Sequence, residues 1–515
     1  VTDAQTSSSA ARTPSEAKGV PVGYGQTAST PCALCGGRRR DYLFVLGQTR
    51  MMRCHDCGLV SRSESAVKPT AESYALDADS ERTLRAGITN APASAAASGR
   101  RLRVLQLVRG DDAAMRLRAD RTLEVTSLAI GDDDDALESI SGTYDAAFVN
   151  GVTEFVRDPV GLLKRVRAHL VPGGTLVIVG ASDLPHSEEK LLPRHLYAPA
   201  QLLRLAMTAG WKPQSCGLLS RSPQTEVPDV RLQGDLLFAP IYQLLQKFGQ
   251  KTDVPSGLLA LRATNEELPQ RPKLSIVMPV FNEAATFKET FLRVAAAKVE
   301  GVTREIIVIE SNSTDGTREL VQSIEGTPDV RVIYEEQPRG KGHAVRAGLA
   351  AATGDFLLIQ DADSEYDVAD YDIVLEPLLQ MRATFVLGSR HLGARTWKIR
   401  QFGDYKSLSM LMNFAHEGFT ALANALYNTD MNDPTTMYKV FRRECYEGVD
   451  FKRDRFDFDW ELVCKLVRRG HVPVEVPINY KSRSYSEGKK VRFFRDPLTW
   501  LSTIVSSRFE RLEKE

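Results

Sequence analysis

No apolar stretch in the 515 residues approaches the roughly 20 that a membrane-spanning helix needs. The longest, Leu274 to Phe281, has the length of a strand and contains Pro279. The first residues lack the charged, apolar and small-residue regions of a secretory signal. Net charge is absent as well, with 66 Lys+Arg against 66 Asp+Glu. A balanced surface gives no general counterion release, which argues against nucleic acid as a partner. A disulfide framework is also missing. Four of the seven cysteines crowd between Cys32 and Cys57, and Cys216, Cys445 and Cys464 stand singly among apolar neighbours, as buried thiols do. Together these absences predict a cytoplasmic protein. What is present is core-forming material, 43% hydrophobic and 26% charged residues, in a length suited to about three domains.

Residues 1–30 are rich in Ser, Thr, Ala, Gly and Pro and cannot bury enough apolar surface to offset ordering entropy, so they read as a tail. Residues 31–66 hold the cysteine quartet. A low-complexity run, Ala91 to Gly99, reads as a linker. From 95 to 263, and again from 272 to 515, short apolar runs alternate with helical patterns, with a polar joint at Thr264 to Pro272. Such alternation predicts parallel sheets with crossover helices, an α/β multidomain class.

Cys32-Ala-Leu-Cys35, eighteen residues, then Cys54-His-Asp-Cys57 is zinc-ribbon spacing, two knuckles supplying four thiolates to one structural Zn²⁺. Gly36 and Gly58 follow the knuckles, where tight turns aim N–H groups at sulfur. A redox pair is the alternative. His55 reads as a bystander.

Cys32 to Val60, followed by an α/β block, resembles the zinc-bearing N-terminus of bacterial class I methyltransferases. The runs Tyr144 to Gly180 and His195 to Trp211 are similar to that family's strand, helix and Pro-Gly-Gly turn and to a later segment. The resemblance implies a Rossmann-like methyltransferase-type domain over 95–263. Its S-adenosylmethionine site departs from the family pattern. The loop after the first strand keeps only Gly110, with Val108 and Arg109 where small residues let the cofactor approach. Ser127 or Leu128 replaces the ribose-binding acid, and Asp132 to Asp135 reads as a solvated loop. The expectation is a retained scaffold without S-adenosylmethionine; a bifunctional, methylating enzyme is the alternative.

Three strand ends then converge. Met278 to Glu283 and Ser311 to Thr317 follow apolar strands, and Gly340-Lys341-Gly342 offers a loop that approaches a phosphate closely and adds a cation. The strand Asp355 to Gln360 ends in Asp361-Ala362-Asp363, two carboxylates spaced to share a divalent cation. This constellation resembles family 2 glycosyltransferases of the GT-A fold, in the dolichyl-phosphate mannose synthase-like branch. The similarity continues through Val386 to Gly393, Thr429 to Glu444 and Arg455 to Val491.

That resemblance implies an inverting sugar transfer from a nucleotide-sugar donor. Asp361 and Asp363 would hold Mg²⁺ or Mn²⁺, with Glu365 where relatives carry Gln. Pro279, Asn282, Glu283, Glu310, Lys341 and Asp361 would line the nucleotide pocket, Lys341 meeting the diphosphate. A hydroxyl acceptor needs a general base, which Asp459 or Glu461 supplies. A phosphate acceptor needs cations instead, and Arg390, Lys439 and Arg483 are the candidates. The plain alternative for FDFDWEL is a helix start favoured by the dipole, and for Arg442 and Arg443 a solvated helix face. The branch implies a polyprenyl-phosphate acceptor. The apolar and basic stretch Val491 to Phe509 would then make peripheral membrane contact at the cytoplasmic face, unless its helix packs on the core. A non-catalytic scaffold is the third functional alternative.

Overall fold

Period-two and near-continuous apolar runs segregate the chain into three sheets. The computed structural model describes residues 26–27, 30–46, 49–62, 84–88, 100–109, 120–131, 135–181, 193–221, 257–392, 406–481 and 496–510. Residues 1–25 of the tail, the linker, Gly110, Asp132 to Asp134 and Arg483 lie outside the described residues, whereas Gln26–Thr27, read as tail, form a strand.

The first sheet, β1 (Gln26–Thr27), β2 (Arg39–Leu46), β3 (Thr49–Cys54) and β4 (Val60–Arg62), is antiparallel and carries the cysteines in its turns. It does not stand alone. β4 pairs with β9 (His195–Leu196), placing Val60 opposite Leu196, and Gln201 Nε2 donates to Cys57 O over 2.9 Å. Cys32, Leu34 and Leu59 share one core with Leu105, Val149 and Tyr197 of the next block. The sequence divides these residues into two domains; the packing joins them.

The second sheet runs β10 (Lys212–Arg221), β11 (Gly257–Thr264), β8 (Leu170–Ala181), β7 (Tyr144–Asn150), β5 (Leu102–Val108), β6 (Leu123–Ala129). Its β5, β6, β7 and β8 are parallel, and β11 and β10 close one edge antiparallel. β7 is buried at every residue, as a central strand covered on both faces must be. Helix α1 (Pro159–Ala168) starts where the Asp158 side chain accepts the Gly161 N–H at 2.8 Å.

The third sheet has the order β14 (Val330–Tyr334), β13 (Thr303–Glu310), β12 (Lys273–Val280), β15 (Phe356–Ile359), β17 (Lys439–Arg442), β16 (Phe385–Ser389), β18 (Val474–Pro477). β12, β13, β14 and β15 are parallel, so their carboxyl ends open on one rim; β17 runs antiparallel to β15. Helices α2 (Phe287–Ala296) and α3 (Lys341–Ala351) follow β12 and precede β15. Arg442 and Arg443 are not on a solvated face. Arg442 is buried against Glu444 at 3.2 Å, and Arg443 donates to the Gly354 and Ala352 carbonyls, tying the short helix α4 (Arg443–Tyr446) to the sheet.

The helix in the C-terminal stretch, α7 (Asp496–Ser506), packs on the core through one face and leaves the other apolar and open. Ile504 is fully buried and its carbonyl accepts the Tyr427 hydroxyl at 2.7 Å, from α5 (Lys406–Tyr427). Leu498, Leu501, Val505 and, beyond the helix, Phe509 are exposed. Packing on the core is therefore observed, but it uses only half the apolar surface. Among the described residues no helix is long and apolar enough to cross a membrane.

Candidate active site

The rim of the third sheet opens into a cavity of about 860 Å³. In its lining lie Pro279 near the end of β12, Glu283 after β12, Ser311 after β13, and Asp361 and Asp363 after β15. Two of these loops are laced together. Asn282 takes a left-handed backbone conformation, φ +49°, its Oδ1 accepts the Thr314 N–H at 2.9 Å and its own N–H meets Ser313 Oγ at 2.9 Å. Asn282 thus shapes the pocket from behind. Glu310 does the same: fully buried, it accepts the Ser313 N–H and sits 3.1 Å from Arg318. Neither is among the residues that line the cavity.

Lys341 is the first residue of α3 and bonds the Asp361 carboxylate. Burial alone would lower its pKa, but the Asp361, Asp459 and Asp363 carboxylates outweigh that and hold the ammonium above its ordinary range. Gly340 lines the cavity, and both flanking glycines also make room for a second segment. A Cβ on Gly340 would stand 2.4 Å from Asp454 O, and one on Gly342 would stand 2.5 Å from Phe458 Cβ. They admit the 453–458 segment, which brings Arg455 and Phe456 to the cavity beside Arg339.

Asp363 accepts the Glu365 N–H at 3.1 Å and lines the cavity. Glu365 also faces it, with Oε2 taking the Tyr480 hydroxyl at 2.9 Å. Two carboxylates on one strand-end loop, with a third in the same cavity, fit a hard divalent cation, which prefers oxygen ligands.

Helix α6 (Phe458–Arg468) separates the two carboxylates read as bases. Asp459 lines the cavity and meets buried Lys439 Nζ at 3.1 Å. Burial lowers the Lys439 pKa, with Asp459 opposing. Glu461 points the other way: fully buried, it accepts the Lys452 and Arg453 N–H groups and Lys465 Nζ at 2.6 Å. Its contacts are those of a structural anchor, and it is not among the residues that line the cavity. Arg390 lines the cavity, clamped on Asp433 through Nε at 2.8 Å and Nη2 at 2.6 Å and stacked 5.1 Å from the Tyr480 ring. Lys439 reaches the site only through Asp459.

Tyr366, Tyr480, His416, Phe419, Trp460 and Trp500 also line the cavity and escaped the sequence reading. Single aromatics carry no spacing signal, and these come from segments far apart in the chain.

In the middle block, Arg109 occupies the strand-end region itself. It lies 5.1 Å over the Phe155 ring and donates to the Gly131 carbonyl at 3.1 Å. In the first sheet, Cys32 and Cys57 sulfurs are 3.6 Å apart, as are Cys35 and Cys54, and all four lie within 4.8 Å of one another. Tetrahedral thiolates at 2.3 Å from Zn²⁺ would be about 3.8 Å apart. Gly36 and Gly58, at φ +74° and +75°, close the two turns.

Residues 275–449 match the model of Glycosyl transferase family 2. This segment is a family 2 glycosyltransferase domain. It is similar to the dolichol-phosphate mannosyltransferase of Pyrococcus furiosus, 27% identical over 42% of this chain and 59% of that one. It is also similar to the dolichyl-phosphate beta-glucosyltransferase of Dictyostelium discoideum, 28% identical over 46% of this chain and 75% of that protein. The chain thus spans less than two thirds of the Pyrococcus relative. A solved glucosyl-3-phosphoglycerate synthase from Mycobacterium tuberculosis, in complex with Mn²⁺, uridine-diphosphate-glucose and phosphoglyceric acid, is 20% identical over 46% of this chain and 80% of that one, with a TM-score of 0.33. The Asp361-Ala362-Asp363 loop, Lys341, Arg390 and Asp433 all fall inside the glycosyltransferase domain.

Proposed function

We propose that the chain transfers a sugar, with inversion, from a nucleoside-diphosphate donor to a lipid-phosphate acceptor, using the cavity of the family 2 domain. The observation that carries this reading is Asp361 and Asp363 at the end of β15 in one cavity with Lys341, Arg339 and Arg455. The leaving diphosphate gains negative charge as the glycosidic bond breaks, and preorganised cations stabilise it. A divalent ion held by Asp361 and Asp363, Mg²⁺ or Mn²⁺, would add Lewis-acid stabilisation of that charge. Lys341, tethered to Asp361, keeps its ammonium at the diphosphate, and Arg390, fixed by Asp433, presents a cation to the acceptor. A phosphate acceptor is already anionic and needs no base.

The lipid class is supported by the far wall of the cavity, built from Phe419, Phe456, Trp460, Pro497 and Trp500. Trp500 belongs to α7, whose opposite face exposes Leu498, 71% accessible, and Leu501, Val505 and Phe509. An apolar wall continuous with an apolar outer face suits an acyl or prenyl chain entering from an interface. The hydroxyl-acceptor reading rests on Asp459, which lines the same cavity. Arg483, read as an acceptor cation, lies outside the described residues.

We read the middle block as a methyltransferase-like scaffold without S-adenosylmethionine, since Arg109 fills the strand-end region, and the cysteine quartet as a structural zinc site. The test of the transfer reading is a panel of radiolabelled nucleotide sugars with polyprenyl phosphate or a soluble sugar acceptor, with and without Mn²⁺. Label in the organic phase, dependent on metal, is expected. Transfer only to the soluble acceptor would overturn the lipid assignment.

A further inference from the structure

Beside Arg390 the cavity wall holds a second cluster, of which the transfer chemistry above uses only Asp433, as the anchor of Arg390. His391 follows β16, His416 sits on α5, and Asp433 lies ahead of β17. Their Nε2, Nε2 and Oδ1 atoms converge within 4.8 Å of one another. The two imidazole nitrogens are 3.1 Å apart, and His416 Nε2 is 4.0 Å from Asp433 Oδ1. Asp433 is fully buried, His416 nearly so.

The surrounding contacts admit the tautomer that would bind a metal through Nε2. Thr435 Oγ1 accepts Arg390 Nη2 at 3.0 Å and lies 3.3 Å from His416 Nδ1. A protonated Nδ1 donating to that hydroxyl leaves a lone pair on His416 Nε2, the atom aimed at His391 and Asp433. A lone pair facing a carboxylate oxygen is repulsive unless something positive lies between them. Two metal–nitrogen bonds of about 2.05 Å to nitrogens 3.1 Å apart enclose an angle of roughly 98°, between octahedral and tetrahedral values. Asp433 Oδ1 also accepts Arg390 Nη2 at 2.6 Å, so the carboxylate would serve the guanidinium and a bound cation together.

We propose that His391, His416 and Asp433 form a second metal site, for a borderline divalent transition ion such as Zn²⁺ or Co²⁺. Imidazole nitrogen selects this class, whereas the all-oxygen Asp361 and Asp363 site suits Mg²⁺ or Mn²⁺. Three protein ligands leave a position open, as in catalytic rather than structural zinc sites. His416 lines the active cavity, so that position is available to water or to an anionic oxygen of a bound molecule. The site does not depend on which acceptor the enzyme uses.

The test uses the full chain titrated with Co²⁺ and followed by proton NMR in H₂O and D₂O. High-spin Co²⁺ shifts the N–H protons of coordinated imidazoles far downfield, and these exchange away in D₂O; thiolate or carboxylate ligands give no such signals. Two exchangeable shifted resonances are expected in the wild type. They should persist in Asp363→Ala and disappear in His416→Gln, with the apparent Co²⁺ affinity falling at least about tenfold. Absence of these resonances in the wild type would overturn the proposal, whether or not the variant folds. Their persistence in both His391→Gln and His416→Gln would do so as well, by placing the ion elsewhere.

Discussion

His471 Nε2 donates to the Cys216 carbonyl over 2.8 Å, joining the glycosyltransferase domain to β10 of the middle sheet. Thr384 Oγ1 lies 2.9 Å from the other ring nitrogen, and since a carbonyl only accepts, the hydroxyl donates to Nδ1. The ring is therefore neutral. Burial, with Arg469 nearby, pushes its pKa down to about 3. His195, in the strand that joins the cysteine-bearing sheet to the middle block, is also lowered to about 3, by burial and then by Arg194.

The first prediction concerns acid. Both histidines have folded pKa values below the unfolded value of about 6.5, so the unfolded chain binds more protons between the two. Their contribution is fully present above pH 6.5 or so and is lost as pH falls toward about 3. Each should cost on the order of a few kcal/mol at the low end. Urea titrations from pH 7 to 4 should show falling stability, with a shallower fall in His471→Gln. An identical pH slope in the variant would show that this junction does not titrate.

Asp363→Ala should lower kcat by at least about 10²-fold, since the lost group stabilises charge in the transition state. The melting temperature should hold, because the side chain fills no core space. Wild-type rates at saturating Mn²⁺ would remove Asp363 from the metal site.

Asp459 and Glu461 should separate cleanly. Glu461→Ala leaves buried Lys465 with Glu510 Oε2 at 3.3 Å and the Asp450 carbonyl, strips the Lys452 and Arg453 N–H groups of their acceptor, and should cost about 3–5 kcal/mol of stability with little change in kcat for the protein that folds. Asp459→Asn keeps an acceptor for Lys439 and should melt near the wild type. With a hydroxyl acceptor its kcat should fall about 10²–10⁴-fold; with a phosphate acceptor it should change little.

Zinc should co-purify with the chain, and chelation should lower the melting temperature, because only a cation favours four thiolates within 4.8 Å of one another. Elemental analysis of Cys54→Ser should show its loss. A metal-free, equally stable variant would remove the structural role.

Liposomes separate the acceptor classes by another route. Leu498→Glu with Leu501→Glu changes only exposed positions, so folding should persist while co-sedimentation with anionic vesicles falls. Equal sedimentation of variant and wild type would show that α7 does not meet the lipid.

The sequence by itself determined the strand ends and the cysteine turns. An apolar run such as Phe356 to Ile359 has to be a buried strand, and the aspartates that follow must then sit on the rim where ligands bind. Two Cys-x-x-Cys pairs likewise carry their geometry locally, in turns only a few residues long. Helical periodicity puts Asp459 and Glu461 on different faces, two positions apart, but which face meets the cavity depended on where Lys439 and Lys465 came to lie. Gly340 and Gly342 read as room for phosphate, and only the fold shows that they also make room for a segment more than a hundred residues away. The convergence of His391, His416 and Asp433 leaves no trace in spacing at all. It exists because β16, α5 and the approach to β17 pack around one wall, and such non-local packing is fixed only when the whole core closes.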